Sequence, residues 1–414
     1  LIFRAIQSLI EKGDSPDVLT LGEECRKDKR FGPDIEGYIV ELATGTPSAA
    51  NIFAYANIVR ERAIERFAVT KLNEAVATLT DPYAGNIYKR LGLVESMVAA
   101  IQERGMTGRS KGLTHVRDIG KDWLPEVVDR VENGVYGGYT LGLDALDNLL
   151  APKRVPPGSL VVVGARPKCG KTAMMGRIAE HFALNIKTGV AVFSLEMPNN
   201  QIYERLITGA SNTDPELFYR AAKDQDDWSK VTTAAGRYND SSLYIDDTPG
   251  ITLSHIRREA RNLNRKTKVG LVAVDYLTLM TVGDADRNDL AYGDITKGLK
   301  NLAKELDCVV LLLTQLNRKL EDRANKRPLP SDSRDTGQIE QDCDLWIGLY
   351  REHVYDQSFD SEYLTEAIIR LNRHGRTGTS YFDLVHGTVK DTDQERAIAI
   401  STRPEKSKVT KLRV

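Results

Sequence analysis

The sequence predicts an α/β fold with a mostly parallel sheet, preceded by a small all-helical domain. Three observations carry this. Residues 1 to about 104 place apolar side chains at helical spacing with little strand signal. From Tyr139 onward, apolar runs at 160–164, 190–195, 269–275, 308–314, 345–350, 366–371 and 380–385 alternate with helical stretches, as strands buried on both faces do. Residues 160–172, Leu-Val-Val-Val-Gly-Ala-Arg-Pro-Lys-Cys-Gly-Lys-Thr, then break an apolar β-branched run at a turn that opens into Ala173-Met174-Met175.

Composition bounds the rest. A chain of 414 residues exceeds one ordinary core, so two domains are expected. A formal net charge of −1 supplies no global basic field, so any nucleic-acid contact must come from local Arg/Lys placement or from repetition in a ring. Cys25, Cys169, Cys308 and Cys343 are far apart, which argues against a zinc module or a disulfide framework and for a cytoplasmic location. No apolar run reaches bilayer length and no signal peptide is visible, so no membrane partner is expected. A start at Leu1 rather than Met suggests trimming or a disordered stretch upstream.

In the helical domain (1–104), Tyr55, Ile58, Val59, Arg62 and Ala63 recur on one face, which Phe67, Thr70 and Leu72 extend. Gly-Thr-Pro-Ser at 45–48 and Asp-Pro-Tyr-Ala-Gly at 81–85 read as turns. Residues 105–138 read as a linker: a flexible hinge at 105–113, then a helix with Trp123, Val127 and Val131 on one face beside Leu124 and Val128. Such a helix has no core of its own and is expected to dock elsewhere. Residues 139–392 form the α/β domain, and 393–414 a polar, basic tail expected to fray.

Strand, turn and helix with Gly170-Lys171-Thr172 at the helix start are the layout of a phosphate-binding loop. Free backbone N–H groups and the positive helix end converge there, so a polyphosphate binds. Lys171 reaches the β/γ-phosphates and the Thr172 hydroxyl joins a Mg²⁺ shell, which points to a nucleoside triphosphatase. The strict pattern wants Gly at 165, where Ala165 stands with Gly164 one place earlier.

Further strands end in polar groups. Val190–Leu195 delivers Glu196, a carboxylate suited to deprotonate the attacking water, although a helix-capping Glu is the bland alternative. Leu271–Val274 delivers Asp275, a Walker B acid for Mg²⁺, with the phosphate loop about a hundred residues upstream. Val309–Thr314 delivers Gln315, either a γ-phosphate sensor or a satisfied strand-end amide. Arg370-Leu-Asn-Arg373-His-Gly-Arg376 lies between two strand runs. It is either a solvated hairpin tip or a source of an arginine for a neighbour's nucleotide, where such a group contributes ~10³–10⁵ in rate.

Together these segments resemble the DnaB family of replicative DNA helicases over nearly the whole chain. Ala165-Arg166-Pro167-Lys168-Cys169-Gly170-Lys171-Thr172 matches the family's Ala-Arg-Pro-x-x-Gly-Lys-Thr, which accounts for the missing Gly. Phe193–Pro198, Val274–Leu277, Thr314–Arg318 and Ser331–Asp344 match later motifs. Thr44–Ile52 and Tyr55–Ala63 match the helical domain.

The resemblance implies a RecA-like ATPase assembled as a homohexamer that threads single-stranded DNA 5′ to 3′, with ATP and Mg²⁺ between subunits. Residues 165–172 hold ATP, joined less securely by Arg205, and Thr172 and Asp275 hold the metal. Lys171, Glu196, Gln315 and Arg373 are catalytic, Arg373 acting on the adjacent subunit. The helical domain becomes a collar that pairs between subunits and recruits primase, and the linker helix docks on a neighbour. A helicase loader is a further implied partner.

Two departures stand out: Leu371 replaces the usual Lys two residues before the finger, so that either Arg370 or Arg376 substitutes or the γ-phosphate clamp is weaker, and the loop 283–289 is acidic. The resemblance then assigns DNA contact to 331–337, with Arg334 beside phosphate and the backbone N–H groups from Asp335 to Gly337 as donors, while the nearby Arg318, Lys319, Arg323, Lys326 and Arg327 either support it or form a solvated charged loop. Backbone-to-phosphate contact carries no base information, as a translocating motor needs. The rival is a RecA- or KaiC-like DNA-binding ATPase without unwinding activity, which should lack the Thr-Pro-Ser-Ala-Ala-Asn helical domain. A scaffold that only recruits primase is disfavoured by the intact catalytic set, and a fused primase by the absence of a cysteine cluster.

Overall fold

The computed structural model describes residues 2–27, 34–45, 52–83, 85–106, 113–134, 137–219, 225–275, 280, 288–333 and 337–402. The chain divides into two compact units, Leu1–Gly112 and Leu113–Val414.

The first unit is helical: α1 (Ile2–Lys12), α2 (Val18–Arg26), α3 (Ile35–Gly45), α4 (Ile52–Thr80) and α5 (Ile87–Met106). Asp17 caps α2 by accepting from the N–H groups of Leu19 and Thr20, while the Thr20 hydroxyl accepts from Asp17 N, which satisfies donors a helix start leaves unpaired. Ala5, Leu9, Leu21, Cys25 and Ile39 form a small core. The helices α4 and α5 make an antiparallel hairpin, with Arg104 over the Phe67 ring and Arg90 donating to the Leu79 carbonyl. Much of the apolar face expected on α4 (Tyr55, Ile58, Val59 and Leu72) is exposed in the single chain. The Pro47-Ser48 turn and most of the hinge lie outside the described residues.

The second unit opens with α6 (Val116–Asn133), capped by His115 Nδ1 and stopped by Gly134 in left-handed conformation. Trp123, Leu124, Val128 and Val131 on it are exposed. Then follow α7 (Asp144–Leu150), β1 (Leu160–Ala165), α8 (Lys171–Glu180), β2 (Gly189–Ser194), α9 (Asn199–Ser211), α10 (Gln225–Asn239), β3 (Leu243–Asp246), α11 (Leu253–Lys266), β4 (Val269–Asp275), α12 (Asn288–Leu306), β5 (Val309–Gln315), α13 (Gly337–Asp342) and β6 (Leu345–Tyr350). The chain ends in β7 (Leu364–Asn372), β8 (Gly378–Val385), β9 (Thr388–Asp391) and α14 (Gln394–Ser401).

Nine strands form one sheet in the order β3-β2-β4-β5-β1-β6-β7-β8-β9. The pairs from β3 to β6 are parallel and those from β6 to β9 antiparallel. Alternate residues of one strand enter opposite cores: Val161 and Val163 pack with α8, whereas Leu160 and Val162 pack with α11 and α12. Both faces are dry, which is why these strands read as continuous apolar runs.

Two short strands had no sequence expectation. β3 and β9 have four residues each at the sheet's edges, too short for a pattern to emerge. A tail was expected from 393, yet α14 lies there, capped by Asp393 and held to β8 by paired bonds between the Gln394 amide and the Tyr381 backbone. Residues 403–414 lie outside the described residues. Among the described residues no helix is long and apolar enough to cross a membrane.

Candidate active site

The phosphate loop leaves the centre of the sheet. A Cβ on Gly164 would lie 2.8 Å from Leu316 Cδ2 and 2.9 Å from Trp346 Cζ2, so that position demands glycine, whereas Ala165 is accommodated fully buried. Gly170, at φ +87°, turns the chain into α8, and no side chain caps that helix. Its first N–H groups therefore remain for a ligand, which makes an anion cradle at the carboxyl end of β1.

Four neighbouring strands, β2, β4, β5 and β1, end at this edge and bring the expected polar groups together. The Thr172 hydroxyl donates to Asp275 Oδ2 at 3.0 Å, and Lys171 Nζ lies 3.0 Å from Asp275 Oδ1 and 3.8 Å from Glu196 Oε2. Asp275 is wholly buried, whereas Glu196 is exposed to the cleft with 53% of its side chain accessible. Ala165 and Gln315 are direct partners across β1 and β5. Lys171, Thr172, Glu196, Arg205 and Gln315 all line one cleft of about 760 Å³. The sequence gives no sign of three further lining residues, Leu384 near the end of β8 and His386 and Gly387 in the turn before β9. That turn is far from the loop in sequence, and no motif marks it.

Two members of the loop have side chains engaged by the protein itself. The Cys169 side chain is buried in the core rather than in the cleft, and burial pushes its thiol up to about 11, so only its backbone can serve a phosphate. The Arg166 guanidinium donates to Glu321 and to the Leu316 carbonyl.

A divalent cation fits this arrangement. Among the described residues no cluster of three or more His, Cys, Asp or Glu could cage a metal by itself. One hydroxyl, one buried carboxylate and an adjoining anion cradle suit a hard cation completed by phosphate oxygens and water.

Arg373 stands apart. Its N–H donates to the Asp344 carbonyl at 2.8 Å and its guanidinium to the Gln341 carbonyl, while Asp344 N donates to the Leu160 carbonyl. Leu160 begins β1, so the six residues of that strand, at ~3.3 Å each, separate Arg373 from its own phosphate loop by roughly 17–20 Å. Leu371 packs against the core, Arg370 donates to the Pro328 carbonyl and Arg376 is exposed.

Of the five cations near 331–337, Arg323 pairs with Asp332 at 2.6 Å and Arg327 forks onto Glu366. These two hold structure together, while Arg318 and Lys319 are exposed. Gly337 opens α13. Arg334 and Asp335, and all of the acidic loop 283–289 but the start of α12, lie outside the described residues.

The DnaB-like helicase C terminal domain family matches residues 138–390, and the DnaB-like helicase N terminal domain family matches residues 1–61. A replicative DNA helicase of Pasteurella multocida is 38% identical over 392 residues, covering 91% of this chain and 82% of that protein. The solved structure of a DnaB-like replicative helicase, described with its interactions with primase, superposes with a TM-score of 0.68 at 27% identity, covering 94% of this chain and 91% of that one. A second solved structure, of an ATPase domain, gives a TM-score of 0.60 at 31% identity, covering 66% of this chain and 99% of that one.

Proposed function

The chain belongs to the DnaB-like helicase family, and from that premise we propose how its residues divide the work of an ATP-driven motor. Its function is that of an ATP-dependent replicative DNA helicase.

The α8 N-terminus and Lys171 bind the β- and γ-phosphates of ATP, and Thr172 and Asp275 hold Mg²⁺. When bound, that cation neutralises charge building on the phosphate oxygens. Glu196 accepts the proton of the water that attacks the γ-phosphorus as the bond to the β-phosphate oxygen breaks. Gln315, beside the loop in register, senses the γ-phosphate, and Arg205 lines the nucleotide cleft.

Arg373 completes a neighbouring subunit's site. The observation that carries this is its position at the opposite end of β1 from its own cleft. A side chain so placed serves a nucleotide only across an interface, which supports a ring of identical subunits.

Single-stranded DNA passes through that ring 5′ to 3′, held by Arg334 and by the backbone from Asp335 to Gly337. Residues 1–104 form a collar that pairs through the exposed face of α4 and recruits primase. Residues 105–138 link it to the motor at 139–392 and dock through the exposed face of α6. A loader places the ring on DNA.

Fork unwinding and DNA-stimulated hydrolysis by the unaltered chain, Lys171→Ala and Glu196→Gln test this reading. Both variants should lose unwinding, while Glu196→Gln still binds ATP and assembles. Vigorous hydrolysis by Glu196→Gln would remove it from the role of base.

A further inference from the structure

By position Arg166 is a phosphate-loop residue, yet its guanidinium is committed elsewhere. Nε donates to Glu321 Oε1 at 2.7 Å and Nη1 to the Leu316 carbonyl at 2.9 Å, with only 11% of the side chain exposed. Both acceptors belong to the segment that leaves β5 just past Gln315. A guanidinium fork bonded to two acceptors holds them in one geometry, because its donors are fixed in a plane.

That segment is itself bonded to residues 330–333. Leu316 and Ser333 form an antiparallel bridge, and Asn317 N donates to the Asp332 carbonyl at 2.8 Å. Arg323 pairs with Asp332, and the Trp346 indole donates to Ser333 Oγ at 3.2 Å. An unbroken set of hydrogen bonds therefore runs from the phosphate loop to the backbone that enters the proposed DNA segment.

We infer that Arg166 and Glu321 are positioning residues that couple the nucleotide to the DNA-facing segment, by a route distinct from Gln315. The inference rests on the motor reading given above. Arg166 lines the nucleotide cleft and Glu321 does not, so Glu321 acts by holding Arg166. The pair ties the loop that follows the phosphates to the strand exit that precedes the DNA segment, so a shift in one moves the other. Glu321 keeps 42% of its side chain exposed, and an ion pair of that exposure adds little to stability. Its removal therefore tests coupling rather than folding.

The experiment measures hydrolysis by the full chain with and without single-stranded oligothymidylate, for the unaltered protein, Glu321→Ala, Glu321→Gln, Arg166→Ala and the double alanine variant. Glu321→Ala should keep the basal rate and Tm but lose about fivefold or more of the stimulation by DNA. Glu321→Gln, which retains an acceptor oxygen, should recover part of it. The double variant should lose no more than Arg166→Ala, because residues acting as one unit are not additive. Full stimulation in Glu321→Ala, an equal fall in its basal rate, or losses that multiply in the double variant would each overturn the inference. An unaltered chain that DNA fails to stimulate would instead count against the motor reading.

Discussion

The Thr172 hydroxyl and the buried Asp275 carboxylate meet at 3.0 Å across 103 residues of sequence, joining the start of α8 to the end of β4. This contact brings the two proposed metal-holding groups onto one spot, with Lys171 on the other oxygen of the same carboxylate. Asp275→Asn keeps the shape and removes the charge. Hydrolysis should fall roughly 100-fold or more, because a metal supplies several kcal/mol of charge stabilisation and 1.36 kcal/mol is tenfold. The Mg²⁺ concentration for half-maximal rate should rise, and a titration of hydrolysis against Mg²⁺ reads both.

Arg373 lies at the end of β1 opposite its own cleft, so its proposed action in trans predicts that half-sites complement. Arg373→Ala and Lys171→Ala rings are each expected to be inactive, the finger alone contributing ~10³–10⁵ in rate. Mixed rings pair some intact halves and should recover hydrolysis. Mixed rings verified by mass that stay inactive would count against action in trans.

Gly164→Ala pushes a methyl into Leu316 and Trp346. Overpacking of this kind costs ~1–3 kcal/mol, so the chemical-denaturation midpoint of the second unit should drop. Gly176→Ala is the matched control, since a Cβ there meets only Leu206 Cδ2 at an ordinary 3.6 Å.

Arg327 forks onto the buried Glu366 and stacks over the Tyr350 ring. Arg327→Ala should cost roughly 2–3 kcal/mol, less than breaking a fully buried pair because Arg327 keeps some contact with water. The dependence of DNA affinity on salt should be unchanged, as expected of a cation that releases no counterion. A shallower salt slope in this variant would return Arg327 to the DNA interface.

Burial holds His181 below its ordinary 6.5, and the cations Arg177 and Arg154 push the same way. A lowered histidine favours the folded state while neutral, so its contribution is complete above 6.5 and is lost as pH falls toward the folded value. Glu180 and Asp147, both raised by burial, act in the opposite sense at lower pH. The difference in Tm between the unaltered chain and His181→Gln, followed from about pH 7.5 downward, isolates the histidine. The gap should narrow or change sign below 6.5, and a gap independent of pH would contradict the assignment.

What was legible in the sequence followed from local rules. Continuous apolar strands announce a sheet covered on both faces, because only such a sheet tolerates them. Lys171, Thr172, Glu196, Asp275 and Gln315 could be found singly because each follows such a strand. Other features had no local signature. The edge strands β3 and β9 are too short to show a period, and α14 was hidden in a polar segment whose order comes from Gln394 gripping the Tyr381 backbone.

The sequence by itself therefore determined the class of fold, the family's chemistry and which residues stand at the proposed phosphate site. Only the tertiary structure decided which of the neighbouring arginines are free to do something. Arg166 reads as an ATP-binding loop residue and Arg323 and Arg327 as cations beside the DNA segment, yet each is paired with a carboxylate: Glu321, Asp332 and Glu366 respectively. Arg373 lies at the end of β1 opposite the cleft because β7 runs antiparallel to β6. Charge is a property of the residue, but what it can reach depends on strand order and direction, and those are set by long-range packing.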